Sequence, residues 1–248
     1  MNNAVVITVY DRTSEQHRLT VSAVESALKQ DIPVDLFILD NGSTYEPTRE
    51  WLRALADVRP NVTLQRYEEN ISPIKLGNMW MGDLFNRLGY QHILGIPNDV
   101  ILPSNLYREF LRWPRGIVTG SMTGEQEVPR FETSEAMNEC TPMAVCLIRK
   151  WAYEALMSKD GYFFDERFFM YASDCDFALR IAACGIRGVQ LDIQYWHYGS
   201  ASHRLANAPG AYGANEDRQK FIEKWGFPVD AYEYGALAGD INFRGVGK

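Results

Sequence analysis

The residues able to do chemistry stand at the ends of apolar runs. In Gly95-Ile96-Pro97-Asn98-Asp99-Val100-Ile101-Leu102-Pro103, a carboxylate, Asp99, follows a strand-like stretch from Tyr90 to Ile96. In open α/β sheets, ligands bind at the carboxyl ends of strands, and a hard oxygen ligand there suits a divalent metal carrying phosphates. Asp40-Asn41-Gly42-Ser43-Thr44 closes a second strand in the same way. Its Asp or Asn could read a base edge or a ribose hydroxyl, and its glycine permits a tight turn. Either segment could also be an ordinary Asx-turn, bonding only its own backbone.

A second set lies later in the chain. Asp174 and Asp176 are two residues apart in a stretch that fits a helix, Ser173 to Cys184. Positions i and i+2 do not share a helix face, so the two acids should play different parts. One could face a cleft while the other caps the helix or pairs with Arg180 at i+4. Acids in a first helical turn are also favoured by the dipole alone. His197 follows a strand-like run and is flanked by aromatics; packing and hydrogen bonding would explain it as readily as metal binding. Asp165-Glu166 could cap or pair on a loop, or hold an acceptor hydroxyl. Taken together, the residues suggest a division of labour: Asp40 reads a nucleotide, Asp99 holds metal, Asp174 supplies a base, and His197 completes the metal site.

The elements that must position them alternate. Ala4–Tyr10 (AVVITVY) is the β-branched run expected of a strand buried on both faces. Ser14 is placed to cap a helix reaching about Gln30, with Leu19, Val21, Val24, Ala27 and Leu28 on its apolar stripe. Strands at 34–39, 62–67 and 90–96 alternate with helices at 47–56, about 78–88 and 104–113. Such a rhythm predicts an α/β fold with a parallel sheet and right-handed crossovers. Beyond it come strands at 116–120, 142–148 and 188–193 and helices at 150–157, 173–184 and 215–225. Met122–Cys140 and Ser200–Tyr212 read as loops, acceptor-facing or lid-forming, because loops carry specificity.

Composition narrows the classes. The 248 residues are 46% hydrophobic and 23% charged, an ordinary globular balance that needs no disulfide or metal staple. Cys140, Cys146, Cys175 and Cys184 form no CxxC pair and no zinc spacing, and read as reduced thiols of a cytosolic protein. The N-terminus has no basic leader, and no apolar run approaches the roughly 20 residues that cross a bilayer. A net charge of -7 without a basic block weighs against a large nucleic-acid footprint. No glycine follows the first strand within Tyr10-Asp11-Arg12-Thr13-Ser14, and no GxxxxGK[ST] occurs, so neither the dinucleotide nor the P-loop motif is present.

The ordered set VVITVYDR, LDNGST (39–44), Asn70/Asn78, IPNDVIL, GYFFDERFFMYASDCDFALR, WHYGSAS and EKWGFP resembles the family 2 inverting glycosyltransferases over about Val5 to Trp225. The resemblance implies a GT-A-like single domain over 1–248, with a mostly parallel, Rossmann-like central sheet flanked by helices. Residues 1–100 would form the nucleotide-sugar-binding half, 101–228 the acceptor-binding and catalytic half, and 229–248 a tail. It further implies transfer of a sugar from a nucleoside diphosphate sugar, a UDP-sugar by preference, to an acceptor hydroxyl with help from Mn²⁺ or Mg²⁺. Asp40 would contact the base, and Thr8, Val9 and Tyr10 would wall its pocket. Arg12, Asn41, Gly42, Lys75, Asn78 and Asn98 complete the implied donor site. Asp99 and His197 would hold the metal and Asp174 would be the general base. Asp176 is the fallback base, and Asp165 and Glu166 are acceptor-side candidates.

Two departures stand out. Pro97 occupies the first position of the DxD-type motif, and Ser173 stands where the family often has Glu. The acceptor could be a glycan, a lipid-linked sugar, a small molecule, a protein or, less readily, modified nucleic acid. The location implied is cytoplasmic or peripheral to a membrane. Two other classes compete. A nucleotidyltransferase making an activated sugar wants a Gly-rich basic loop after strand one, where Arg12 is the only base. A non-catalytic carbohydrate-binding protein would suit the 12% aromatic content.

Overall fold

A computed structural model describes residues 2–123, 144–186, 188–199 and 214–229. The 200–212 loop with His203, most of the 122–140 loop with Cys140, and the tail beyond Val229 lie outside the described residues. The elements run β1 (Asn3–Val9), α1 (Ser14–Leu28), β2 (Asp35–Asn41), α2 (Glu46–Val58), β3 (Val62–Tyr67), α3 (Pro73–Gly82), β4 (His92–Pro97), β5 (Val100–Ile101), α4 (Leu106–Leu111), β6 (Ile117–Thr123), β7 (Cys146–Arg149), α5 (Lys150–Asp160), α6 (Ser173–Ala183), β8 (Gly188–His197) and α7 (Ala214–Trp225).

One eight-stranded sheet, ordered β3-β2-β1-β4-β7-β6-β8-β5, spans both expected halves. The first four strands are parallel, as the βα rhythm requires. The sheet is nevertheless mixed: β7 lies antiparallel between β4 and β6, and β5 runs antiparallel to β8. β6 and β8 are again parallel.

The two faces of the sheet separate with the period of two that strand geometry imposes. Val5, Ile7, Leu36, Ile38, Leu94 and Ile96 pack on one side with Tyr107 and Phe110 of α4. Val6, Phe37, Leu39 and Ile93 pack on the other with Leu76, Phe85, Tyr153, Phe163 and Phe177, below α3, α5 and α6. A third cluster joins the loop before α6 to α7 through Phe168, Cys175, Leu179 and Phe221. Cys146 and Cys175 are buried and Cys184 half-buried, all as free thiols.

Local departures from the sequence reading have physical causes. Thr13, not Ser14, caps α1: its extended backbone lets its hydroxyl accept from Gln16 N. The buried stripe of α1 is partly polar, with Gln16, Thr20 and Ser26 inward and Leu19 and Val21 half-buried. Those polar groups bond strand-end loops, for example Leu102 N donating to Ser26 Oγ at 3.1 Å. The helix entered at Pro73 stops at Gly82 and continues as one π-turn, Asp83–Arg87.

Candidate functional site

The carboxyl ends of β1, β2 and β4 come together around Asp11, which nothing in the sequence singles out. Asp11 is fully buried. Its Oδ1 accepts from Thr20 Oγ1 at 2.9 Å and from Asn98 Nδ2 at 3.0 Å, and its Oδ2 from Thr48 Oγ1 at 2.9 Å. Its backbone N–H donates to Ser43 Oγ, and its carbonyl accepts from Thr44 N and Tyr45 N. One residue therefore ties the ends of β1 and β4 to α1 and the first turn of α2 through its side chain, and to the end of β2 through its backbone. Burial pushes its carboxyl up to about 6, the donors from Thr20, Thr48 and Asn98 pull it down, and the neighbouring charge of Asp40 pushes it up.

The β2 end is similarly locked. Asp40 Oδ1 accepts from Ser43 N at 2.9 Å, and its other oxygen pairs with Arg66. Asn41 clamps the loop after β3, donating to Asn70 Oδ1 and Ile71 O, both at 2.8 Å, and accepting from Ile71 N at 3.0 Å. Gly42 has φ +84°, and a Cβ there would lie 2.9 Å from the Glu69–Asn70 backbone. Only glycine satisfies both conditions.

These bonds revise three of the side chains assigned to the donor. Asn98 Nδ2 is engaged by Asp11 and by Thr20 Oγ1 at 2.9 Å, which turns it inward, while Asn41 faces the loop. Asn78 brackets Phe164, accepting from its N–H at 2.7 Å and donating to its carbonyl at 2.8 Å; it also donates to Glu166 at 3.0 Å. Each fixes the shape of the site through backbone or side-chain anchoring. Val9 points to the buried far face, Arg12 is exposed with its guanidinium 5.5 Å from the Tyr10 ring centre, and Lys75 is exposed on the first turn of α3.

Asp99 and His197 are brought together. His197 Nε2 lies 3.2 Å from Asp99 Oδ1, both groups being largely buried. The β5/β8 ladder does this: Val100 is registered against His197, and Tyr198 N donates to Asp99 O at 2.9 Å. The carboxylate oxygen suits Mn²⁺ or Mg²⁺, and of the two the imidazole nitrogen favours the transition metal Mn²⁺. Among the described residues no third His, Cys, Asp or Glu completes a three-residue metal set. The residues therefore fit a metal whose remaining ligands come from a bound phosphate and water.

Asp174 is exposed in the first turn of α6, its Oδ1 accepting from Cys175 N at 2.9 Å. The helix is preceded by Ala172, its N-cap, which with φ 57° is the one non-glycine with positive φ among the described residues. That left-handed backbone turns the chain sharply into the helix. Asp174 and Ser173 share a cavity of about 280 Å³ with Thr8, Pro97, Ile74 and Gly77. Thr8 and Pro97 are registered neighbours at the ends of β1 and β4, one residue short of the Asn98-Asp99 turn.

Asp176 is a different kind of acid. It has no exposure and accepts from Arg180 Nε at 2.9 Å, Trp225 Nε1 at 2.9 Å and Lys224 Nζ at 2.5 Å. That enclosure excludes the fallback base role: the carboxylate is fully occupied and does not face the cleft. Asp165 is also structural. Burial raises its carboxyl, but hydrogen bonds from Arg167 and Lys224 outweigh this and hold it well below the usual carboxylate range. Glu166 remains exposed beside Asn78.

The loop carrying these acids is fastened from α7 by Asp217, also unremarked in the sequence. Fully buried, it accepts from three consecutive backbone N–H groups, Phe169, Met170 and Tyr171, at 2.9–3.0 Å. In sequence Asp217 looks like any first-turn acid, and Asp11 like any loop acid. Their burial depends on partners scattered along the chain.

No family model matches the chain, and no curated protein does. Solved structures do. S. aureus TarS 1-349 in complex with UDP-GlcNAc aligns with a TM-score of 0.66 at 17% identity, covering 98% of this chain and 72% of that one. Mannosyltransferase PcManGT from Pyrobaculum calidifontis, in complex with GDP-Man and Mn²⁺, gives 0.66 at 16%, covering 96% and 69%. GalNAc-T7 with UDP, GalNAc and Mn²⁺ gives 0.68 at 14%, covering 94% and 50%. The chain spans 61% of the length of TarS 1-349 solved with UDP. At these identities the likeness defines architecture: the chain has the GT-A fold.

Proposed function

We propose that the chain is an inverting glycosyltransferase, moving a sugar from a nucleoside diphosphate sugar to an acceptor hydroxyl with Asp174 as general base. The observation that carries this reading is the placement of Asp174. It is an exposed carboxylate in a cavity shared with the ends of β1 and β4, while the adjoining turn presents Asp99 to His197. The GT-A neighbours solved with UDP-GlcNAc, GDP-Man or UDP support a nucleotide-sugar donor, and two of them were solved with Mn²⁺.

The donor's base would lie by Tyr10 and the Asp40–Gly42 turn, and a UDP-linked sugar is the first donor to test. Asp99 and His197 would hold a divalent ion, which when bound neutralises charge developing on the departing diphosphate. Asp174 accepts the acceptor's proton as the hydroxyl oxygen attacks the anomeric carbon opposite the leaving group, inverting the configuration. Holding donor and acceptor together across the strand ends supplies much of the remaining acceleration. The rigid turns built on Asp11, Asn41 and Asn78 keep these groups in register without substrate. Among the described residues no helix is long and apolar enough to cross a membrane.

A panel of UDP- and GDP-sugars tested for Mn²⁺-stimulated release of nucleotide examines the reading directly. Transferases often hydrolyse their donor slowly, and release that disappears in Asp99→Ala supports the assignment. A wild-type protein that neither binds nor cleaves any donor refutes it.

A further inference from the structure

The cavity below Asp174 is not uniform. Its mouth carries Thr8, Pro97, Ser173 and Asp174, and its floor is Val6, Gly95 and Cys146, registered side by side on β1, β4 and β7. Ile74, Gly77, Trp80 and Phe164 form the roof. Solvent reaches Gly95 in the middle of a central strand, although its neighbours Ile93 and Leu94 are completely buried.

Gly95 has no conformational need to be glycine. It lacks a positive φ, and an added Cβ would meet only Cys146 O, at 4.0 Å, an ordinary contact. Glycine inside a strand loses more entropy on folding than alanine and packs nothing, so its presence commonly marks the close approach of another group. Here its effect is to keep the floor of the slot open.

We infer that this slot receives the apolar part of the acceptor, whose hydroxyl is thereby held at Asp174. The inference rests on the glycosyl-transfer reading only for the word acceptor. A sugar does not suit the floor: its side chains offer no hydrogen-bond partner beyond the Cys146 thiol, which faces its own chain at Leu147 O. An unpaired hydroxyl is costly to bury. An alkyl or aryl group loses nothing there. At roughly 30 Å³ per small group, about the share of one water, the whole volume with its mouth takes at most about eight or nine carbons.

The test is calorimetric binding of n-alkyl β-glucosides, from methyl to decyl, with UDP binding and thermal melting measured in parallel. For wild type, Kd should fall about fourfold per methylene up to about eight carbons and then level off. Gly95→Leu should remove the dependence beyond the first few carbons, while UDP affinity stays within about twofold and melting is not lowered. Gly95→Ala, adding one methyl into open space, should shorten the dependence by one or two carbons and covers the case in which leucine disturbs the fold. Affinity independent of chain length in wild type overturns the inference, as does Gly95→Leu retaining the wild-type dependence or losing UDP binding instead. A chain-length dependence in a protein that shows no donor binding or cleavage keeps the slot and refutes the transferase reading. Donor binding without that dependence does the reverse.

Discussion

His197 Nε2 stands 3.2 Å from Asp99 Oδ1 because the short β5 is zipped against the end of β8, with Val100 opposite His197. The pair offers two protein donors, so a metal held there should depend on phosphate oxygens for the rest of its shell. Mn²⁺ titrated by electron paramagnetic resonance should bind at least tenfold more tightly with UDP present than without it. Asp99→Ala or His197→Ala should lower the affinity of the UDP-loaded protein by about a hundredfold or more, since loss of a group one shell further out already costs about ten- to a hundredfold. Mn²⁺ affinity indifferent to UDP would show that the pair is an internal hydrogen bond.

Asp174 and Asp176 separate reaction from scaffold within one helical turn. Asp174→Asn should lower kcat by about 10²–10⁴-fold, the range of general-base catalysis, and leave donor affinity nearly unchanged. Asp176→Ala takes one carboxylate from Arg180 and Lys224, leaving Asp160 to the first and Asp165 to the second, and should cost about 1.5–3 kcal/mol of stability. Kinetics and urea denaturation on both variants give opposite signatures. Near-wild-type turnover by Asp174→Asn would place the base elsewhere.

That separation shows what the sequence made legible. Strand ends were readable, since β-branched runs stop abruptly at Asp40 and Asn98-Asp99, and the acids at 174 and 176 could be assigned different faces. The direction of those faces was not readable, because it depends on Lys224 and Trp225 arriving from α7. The joining of Asp99 to His197 could be expected from their residue types and from the family resemblance; the ladder that achieves it is a two-residue strand with no pattern of its own. Asn41, Asn78 and Asn98 looked like ligand-reading amides, yet their partners are loops distant in sequence. The antiparallel β7 escaped because a short buried run has the same composition in either direction.

Asp11 makes stability depend on pH in an identifiable window. Its carboxyl is raised to about 6 in the folded chain from an ordinary 3.8, so the folded state holds the proton more tightly than the unfolded state. The associated stabilisation is complete below about pH 4 and is lost as pH rises through 6, amounting to about 3 kcal/mol for a shift of this size. Asn at this position keeps the shape without the titration. The stability of wild type minus that of Asp11→Asn, from urea unfolding, should fall by about that amount between pH 4 and pH 7. A difference that stays flat across this range would mean that Asp11 ionises as it does in the unfolded chain.

Asp217 holds the approach to the base without touching the cleft. Its carboxylate gathers the N–H groups of Phe169, Met170 and Tyr171, and Lys220 Nζ lies 3.1 Å away as its counter-charge. The next residues are Ala172, with its left-handed backbone, and the start of α6 with Asp174. Hydrogen bonds to a buried charged group contribute about 1.5–3 kcal/mol, so Asp217→Asn should weaken this fastening locally. Amide exchange at residues 169–171 should accelerate about tenfold or more, while β1 and β4 keep their protection. Because Asp174 is displaced rather than removed, kcat should fall with little change in donor affinity, and by less than in Asp174→Asn. Unchanged exchange at 169–171, or a uniform loss of protection across the sheet, would show that Asp217 supports the whole fold instead of this loop.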